Sequence, residues 1–188
     1  MADSRSLASL GEEVDQLAAL VDDLQTLALS DAGALDLQRK PVDLTALVQQ
    51  AAEPFGERFA ARDISVELKL PSALEITGDA QRLRQLLHNL LENNVRYVES
   101  GGWVKIRLET SSEGVKLSFE DSGPGVPAGQ LERLFERFYR VEPGRSRVAG
   151  GSGLGLSICR NIAEAHGGSI AAEHSASGGL LVIVWLPL

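Results

Sequence analysis

Cysteine is almost missing from this chain: Cys159 is the only one in 188 residues. A single thiol excludes an internal disulfide framework and a cysteine-based zinc cluster. It is compatible with a reducing compartment. Long apolar runs are missing as well, and none approaches the roughly 18 residues that a membrane span needs. The start, Met1-Ala2-Asp3-Ser4-Arg5, has no apolar stretch behind its charges, so no signal peptide is visible. Long basic runs do not occur and the net charge is −8, which argues against a nucleic-acid footprint. What is present is an apolar content of 44%, enough to pack one domain with an appendage. The piece is expected to be soluble.

The first thirty or so residues read as helix. Leu7, Leu10, Val14, Leu17, Val21, Leu24 and Ala28 are spaced 3, 4, 3, 4, 3, 4, an apolar seam flanked by Glu12, Glu13, Asp15, Asp22 and Asp23. One such helix cannot bury its seam alone. It either packs on its own domain or contributes to a dimeric bundle. Gly33 can cap it, and a short linker follows to Pro41. Asp43 caps a second helix with the stripe Leu44, Leu47, Val48 and Ala51; Pro54 interrupts it and it runs on to about Ala61. Ile64, Val66, Leu68 and Leu70 alternate as a half-buried strand, and Leu74 to Thr77 is a further short one. Asp79 caps a long helix to about Val98, with Leu83, Leu86, Leu87, Leu90 and Leu91 on its core face. Trp103 to Leu108 and Val115 to Phe119 form a hairpin. Pro127 to about Phe135 reads as a short helix, and Leu154 to His166 as a longer one. Ser169–His174 and Leu180–Leu186 close the chain as a hairpin around Gly178-Gly179. Mixed helices and antiparallel hairpins predict an α+β sandwich, not a doubly wound parallel sheet.

Three features of this pattern carry chemistry. Asn89, Asn93 and Arg96 are spaced four and three apart, on one helix face. An amide oxygen suits magnesium, which also takes water and phosphate oxygens, and an arginine can meet phosphate. A solvated polar face would show the same spacing. Asp121 ends a strand and precedes Gly123 and Gly125. Its carboxylate can accept from an exocyclic amine, selecting adenine over guanine, while the glycines let the backbone pass close to a flat base. An ordinary turn uses the same residues. Gly151, Gly153 and Gly155 open a helix, where bare N–H groups form an anion site. No Gly-Lys-Ser/Thr follows, so this is not a P-loop. Taken together and in this order, the features point to a nucleotide held between a loop and a helix N-terminus.

These blocks resemble the catalytic and ATP-binding domain of bacterial sensor histidine kinases, within the superfamily shared with gyrase, mismatch-repair ATPases and heat-shock chaperones. Asn89-Leu90-Leu91-Glu92-Asn93-Asn94-Val95-Arg96-Tyr97 resembles the N box and Asp121-Ser122-Gly123-Pro124-Gly125 the G1 box. Phe135-Glu136-Arg137-Phe138-Tyr139-Arg140 is similar to the F box, and Gly151-Ser152-Gly153-Leu154-Gly155-Leu156 to the G2 box. The match runs from about Val42 to Leu188. Upstream, Glu13 to Leu24 is similar to the second helix of the dimerisation and phosphoacceptor domain.

The resemblance implies a Bergerat-type two-layer α/β sandwich, with a mixed, largely antiparallel sheet and helices on one face, preceded by a coiled-coil-like helix. It implies residues 1–32 as bundle remnant, 33–41 as linker and 42–188 as the ATP-binding domain, with an ATP lid at about 136–152. It implies ATP and Mg2+ as cofactors. Asn93, assisted by Asn89, would hold the metal, and Arg96 would meet phosphate. Tyr97 would pack near the nucleotide, and Asp121, Gly123 and Gly125 would frame the adenine. Phe135 and Phe138 would anchor the lid. Arg140, with Arg145 or Arg147 as further candidates, would reach the terminal phosphate. Gly151, Ser152, Gly153, Leu154 and Gly155 would serve the phosphates. The implied partners are the histidine-bearing domain of the same kinase, in a homodimer, and a response regulator receiver domain. The implied location is cytoplasmic, with the parent anchored in the inner membrane.

Asn89 stands where related ATPases carry a glutamate base, and an amide cannot take a proton from water, which favours phosphoryl transfer over hydrolysis. Asn94 and Val95 stand where the family commonly has small residues. The family's phosphoacceptor histidine motif does not occur; the histidines are His88, His166 and His174 alone. A truncated piece that binds ATP without phosphorylating itself is expected. An anti-sigma-factor-like serine kinase and a non-catalytic nucleotide-sensing module are the alternatives.

Overall fold

The computed structural model describes residues 21, 27, 28, 36–112, 114–141 and 152–188. Two units divide the chain, residues 1–35 and 36–188. In the first, Val21, Leu27 and Ala28 are helical, with Val21 exposed and Leu27 buried. The remainder of the expected heptad seam lies outside the described residues.

The second unit begins with strand β1, Lys40–Asp43, paired antiparallel with β3, Glu75–Gly78. Between them lie α1, Leu44–Ala52, a 3-10 turn at Glu53–Phe55, α2, Gly56–Ala60, and β2, Ser65–Lys69. Asp43 caps α1 as expected, accepting from the Ala46 N–H at 3.1 Å. Pro54 sits in the 3-10 turn, where its missing N–H ends the first helix. Strand β1 is a correction to the linker expectation. Lys40 and Pro41 belong to a strand, and the Gln38 N–H donates to Asp79 Oδ2 at 3.0 Å.

The main sheet has five strands in the order β2-β4-β5-β7-β6. Strand β4 is Trp103–Ser111, β5 is Gly114–Asp121, β6 is Ser169–His174 and β7 is Leu180–Leu186. Strand β2 runs parallel to β4, and the remaining neighbours are antiparallel. Register puts Val104 opposite Asp121, Ile106 opposite Phe119 and Leu108 opposite Leu117, so all of these share one face. That face is buried, with Val182, Val184 and Leu186 of β7 continuing it. Strand β2 departs from its expected half burial. Among the described residues its only partner is β4, and Val66 and Leu68 remain 38% and 40% exposed at this edge.

Helices supply the second layer. In α3, Ala80–Tyr97, the residues Leu83, Leu86, Leu87, Leu90, Leu91, Asn94 and Val95 are buried. Each fully buried leucine contributes about 1.5–3 kcal/mol by leaving water. In α4, Gly155–Ala165, Ile158, Cys159, Ile162 and Ala163 are buried. The stretch before the lid folds as two 3-10 turns, Ala128–Gln130 and Glu132–Phe135, in place of the expected single helix. Among the described residues, no helix is long and apolar enough to cross a membrane.

Candidate functional site

Asp121 is the last residue of β5 and points to the buried face of the sheet, only 4% exposed. Its Oδ1 accepts from the Gly123 N–H at 2.9 Å and the Leu180 N–H at 3.1 Å. Its Oδ2 accepts from Asn94 Nδ2 at 3.1 Å. Burial pushes the carboxyl above the usual range, against the pull of these three donors, and the neighbouring Glu120 charge adds to the rise. A buried acceptor that is held rigidly and fully hydrogen-bonded on one oxygen suits recognition of a donor on a flat ligand.

The glycines around Asp121 act first on the protein itself. A Cβ on Gly125 would strike the Gly178 carbonyl, and one on Gly179 would strike the carbonyl of Asp121. The G1 loop and the β6–β7 turn therefore pack backbone on backbone. Sequence reading assigned Gly123 and Gly125 to the base alone. It missed Gly179 and Leu180, whose only sequence signal was the Gly178-Gly179 turn. Asn94 was noticed as a departure from the family pattern but not as a partner of Asp121.

Helix α3 carries Asn89, Asn93 and Arg96 along one half-buried edge. Asn89 Nδ2 is buried and, among the described residues, has no hydrogen-bond partner. Gly155, the first residue of α4, lies against it, since a Cβ there would sit 3.7 Å from the Asn89 side chain. The structure thus brings an N-box amide to the N-terminus of α4, although 66 residues separate them (155 − 89). Ser152 Oγ accepts from the Leu154 N–H at 3.3 Å, and Leu154 is buried. Tyr97 is 39% exposed at the end of α3. Among the described residues, no cluster of three or more His, Cys, Asp or Glu side chains exists to hold a metal. A metal here would depend on amide and phosphate oxygens, as magnesium permits.

Glu92 is not an available base. Arg58 pairs with both its oxygens, and although burial opposes it, this pairing holds the carboxyl below its usual range.

The two phenylalanines of the segment that resembles the F box are placed differently. Phe135 is buried, with the Arg160 guanidinium 4.4 Å from its ring centroid. Phe138 is 66% exposed. Its backbone N–H donates to the Gly153 carbonyl at 2.9 Å. Phe138 has φ 61 and Gly153 φ 74, both left-handed, and a Cβ on Gly153 would lie 2.9 Å from the Phe138 backbone. This contact brings the backbone just after Phe135 beside the backbone just before α4. Arg140, two residues after Phe138, is half-buried. Gly151, Arg145 and Arg147 lie outside the described residues.

Residues 78–188 match the family model for histidine kinase-, DNA gyrase B- and HSP90-like ATPases. The signal transduction histidine-protein kinase BaeS of Escherichia coli (strain K12) is 51% identical over 183 residues, covering 97% of this chain and 39% of that protein. The chain therefore spans about two-fifths of the length of this relative. The crystal structure of full-length ShkA in complex with AMPPNP superposes with a TM-score of 0.81 at 31% identity, covering 100% of this chain and 40% of that one. Histidine kinase ThkA in complex with response regulator protein TrrA gives a TM-score of 0.73 at 25% identity, covering 100% and 53%. With its α+β sandwich, and with N-box, G1, F-box and G2 segments in family order, the chain belongs to the histidine kinase-, DNA gyrase B- and HSP90-like ATPases, as the ATP-binding catalytic domain of a two-component sensor histidine kinase.

Proposed function

We propose that this chain binds Mg·ATP with the adenine against Asp121 and the phosphates between α3 and the N-terminus of α4. The observation that carries this reading is Asp121, a carboxylate buried at the end of β5 and held by three donors. Asn93 and Asn89 are the residues that would hold magnesium, which neutralises phosphate charge when bound. The residues fit the group. Asn89 has a buried Nδ2 with no hydrogen-bond partner among the described residues, a donor suited to a phosphate oxygen, on the same amide as a metal-suited oxygen. Arg96 and Arg140 bring positive charge, and Tyr97 lies near the nucleotide. The backbone at Ser152, Gly153, Leu154 and Gly155 would serve the phosphates, where the first N–H groups of α4 lack intrahelical acceptors, and the G2 segment in sequence also includes Gly151. Catalysis by such a site is positioning and charge stabilisation. With Asn89 where a general base would stand, and Glu92 engaged by Arg58, water is not activated.

The γ-phosphoryl group passes to a histidine that this chain does not supply, and from there to an aspartate of a response regulator; the ThkA–TrrA complex supports that class of partner. On this reading residues 1–32 correspond in sequence to the second helix of the dimerising bundle and residues 136–152 to the lid, and the parent protein would be anchored in the inner membrane with this part in the cytoplasm. The chain's own histidines are otherwise occupied. His166 is buried, with its Nε2 accepting from the Asp79 N–H at 3.0 Å and its Nδ1 2.8 Å from the Ile162 carbonyl. His174 Nε2 lies 2.7 Å from the Val126 carbonyl, and His88 meets the Phe55 ring edge-on. Incubation with labelled ATP tests the reading. No label is expected on the chain alone, and label is expected on a separately supplied histidine-bearing bundle domain. Stable label on the 188-residue chain itself would overturn it.

A further inference from the structure

An ionised carboxylate offers about four lone-pair positions and only accepts. On Asp121, Oδ1 is filled by the Gly123 N–H at 2.9 Å and the Leu180 N–H at 3.1 Å. Asn94 Nδ2 takes one position on Oδ2 at 3.1 Å. The amide cannot be turned over, because its oxygen would then face another acceptor. One position, on one oxygen, is left for a ligand.

Asn94 itself occupies an apolar place. It lies in the buried stripe of α3 that runs through Leu87, Leu90 and Leu91, and it is 3% exposed. Its Oδ1 is buried and, among the described residues, has no hydrogen-bond partner. An orphaned buried carbonyl oxygen weakens a fold. An apolar side chain would continue the stripe and leave no orphan. The contribution of this residue is therefore its amide NH2, which among the described residues reaches Asp121.

We propose that Asn94 is a positioning residue that sets purine specificity. By occupying one lone pair of Asp121 Oδ2, it leaves the carboxylate a single acceptor of fixed direction, which meets the exocyclic amine of a 6-amino purine. A 6-oxo purine carries its donor at N1 instead, displaced from that direction. Without Asn94 a second position on Oδ2 opens and the carboxylate is free to serve either donor. The inference rests on the assignment of Asp121 to the base.

Calorimetry on the whole chain with Mg·ATP and with magnesium inosine triphosphate tests it. In Asn94→Ala the preference for ATP is expected to fall about tenfold, with the inosine nucleotide bound within about twofold of its original affinity or more tightly. Asn94→Leu keeps the side-chain volume and removes the orphan oxygen, so it answers the same question if the alanine variant folds poorly. A purely structural role would weaken both nucleotides equally, and an unchanged ratio would overturn the proposal. Asp121→Asn separates the two readings. If it collapses the ratio while both Asn94 variants keep it, the positioning role alone fails. If Asp121→Asn keeps the ratio too, the assignment of Asp121 fails first.

Discussion

At the scale of single residues, the site is a compromise between burial and charge. Asp121 has its carboxyl pushed upward mainly by desolvation. A group raised in this way stabilises the fold below its unfolded pKa, near 4, and that contribution is lost as pH rises through the folded value. Desolvation thus works against the ionised carboxylate in the ligand-free chain. Asp121→Asn removes the carboxylate. The Asn94 amide can then turn over, so that its orphaned oxygen accepts from the new side chain. The variant is expected to be as stable as the parent at pH 7, or more so by up to about 1 kcal/mol, while losing at least about tenfold in ATP affinity. Urea unfolding beside calorimetry checks both halves; a variant that is strongly destabilised would show Asp121 to be structural. Asp121 was legible in the sequence because a strand, an acid and two glycines are adjacent. The role of Asn94 was not, since a helix position is assigned to the core or the surface by periodicity, and an amide in a leucine stripe fits neither rule.

At the scale of elements, α3 depends on a junction that is only half local. Asp79 caps the helix through Gln81 and Arg82, whose N–H groups donate to Oδ1 at 2.9 and 3.1 Å. That much is readable from an acid before an apolar-periodic run. The other half is His166, from the end of α4, whose Nε2 accepts from the Asp79 N–H across 87 residues. Burial holds this imidazole below its usual range, partly offset by the Ile162 carbonyl. A depressed histidine leaves stability intact above its unfolded pKa, and the unfolded chain takes up the proton first as pH falls. Unfolding free energy is therefore expected to decline from about pH 6.5 downward. In His166→Gln this decline should shrink, with the residual slope coming from His88, which burial also depresses. Denaturant midpoints measured between pH 7.5 and 5 on both chains read it directly; equal slopes would refute it. Strand β1 escaped the sequence for a related reason. Four residues, Lys40–Asp43, carry no alternation of their own, and their pairing partner lies beyond two helices.

At the scale of the whole second unit, two backbones meet where the base site is built. The turn between β6 and β7 runs so close to the end of β5 that Gly179 has no room for a side chain beside the Asp121 carbonyl. Gly179→Ala is expected to destabilise the fold by about 1–3 kcal/mol and to weaken nucleotide binding with it. Thermal unfolding with and without Mg·ATP measures both, and a neutral effect would show that the turn is not a fixed wall of the site. Local sequence was enough to determine most helices and strands, the caps at Asp43 and Asp79, and the order of the four boxes, because periodicity, capping and turn chemistry act within a few residues. Tertiary structure alone decided that Asn94 and Leu180 hold Asp121, that Gly155 rests on Asn89, and that β2 stands exposed at the edge. It also decided that the Phe138 backbone meets that of Gly153. Those contacts join residues far apart in the chain, and nothing in the spacing of either partner encodes the distance at which they meet.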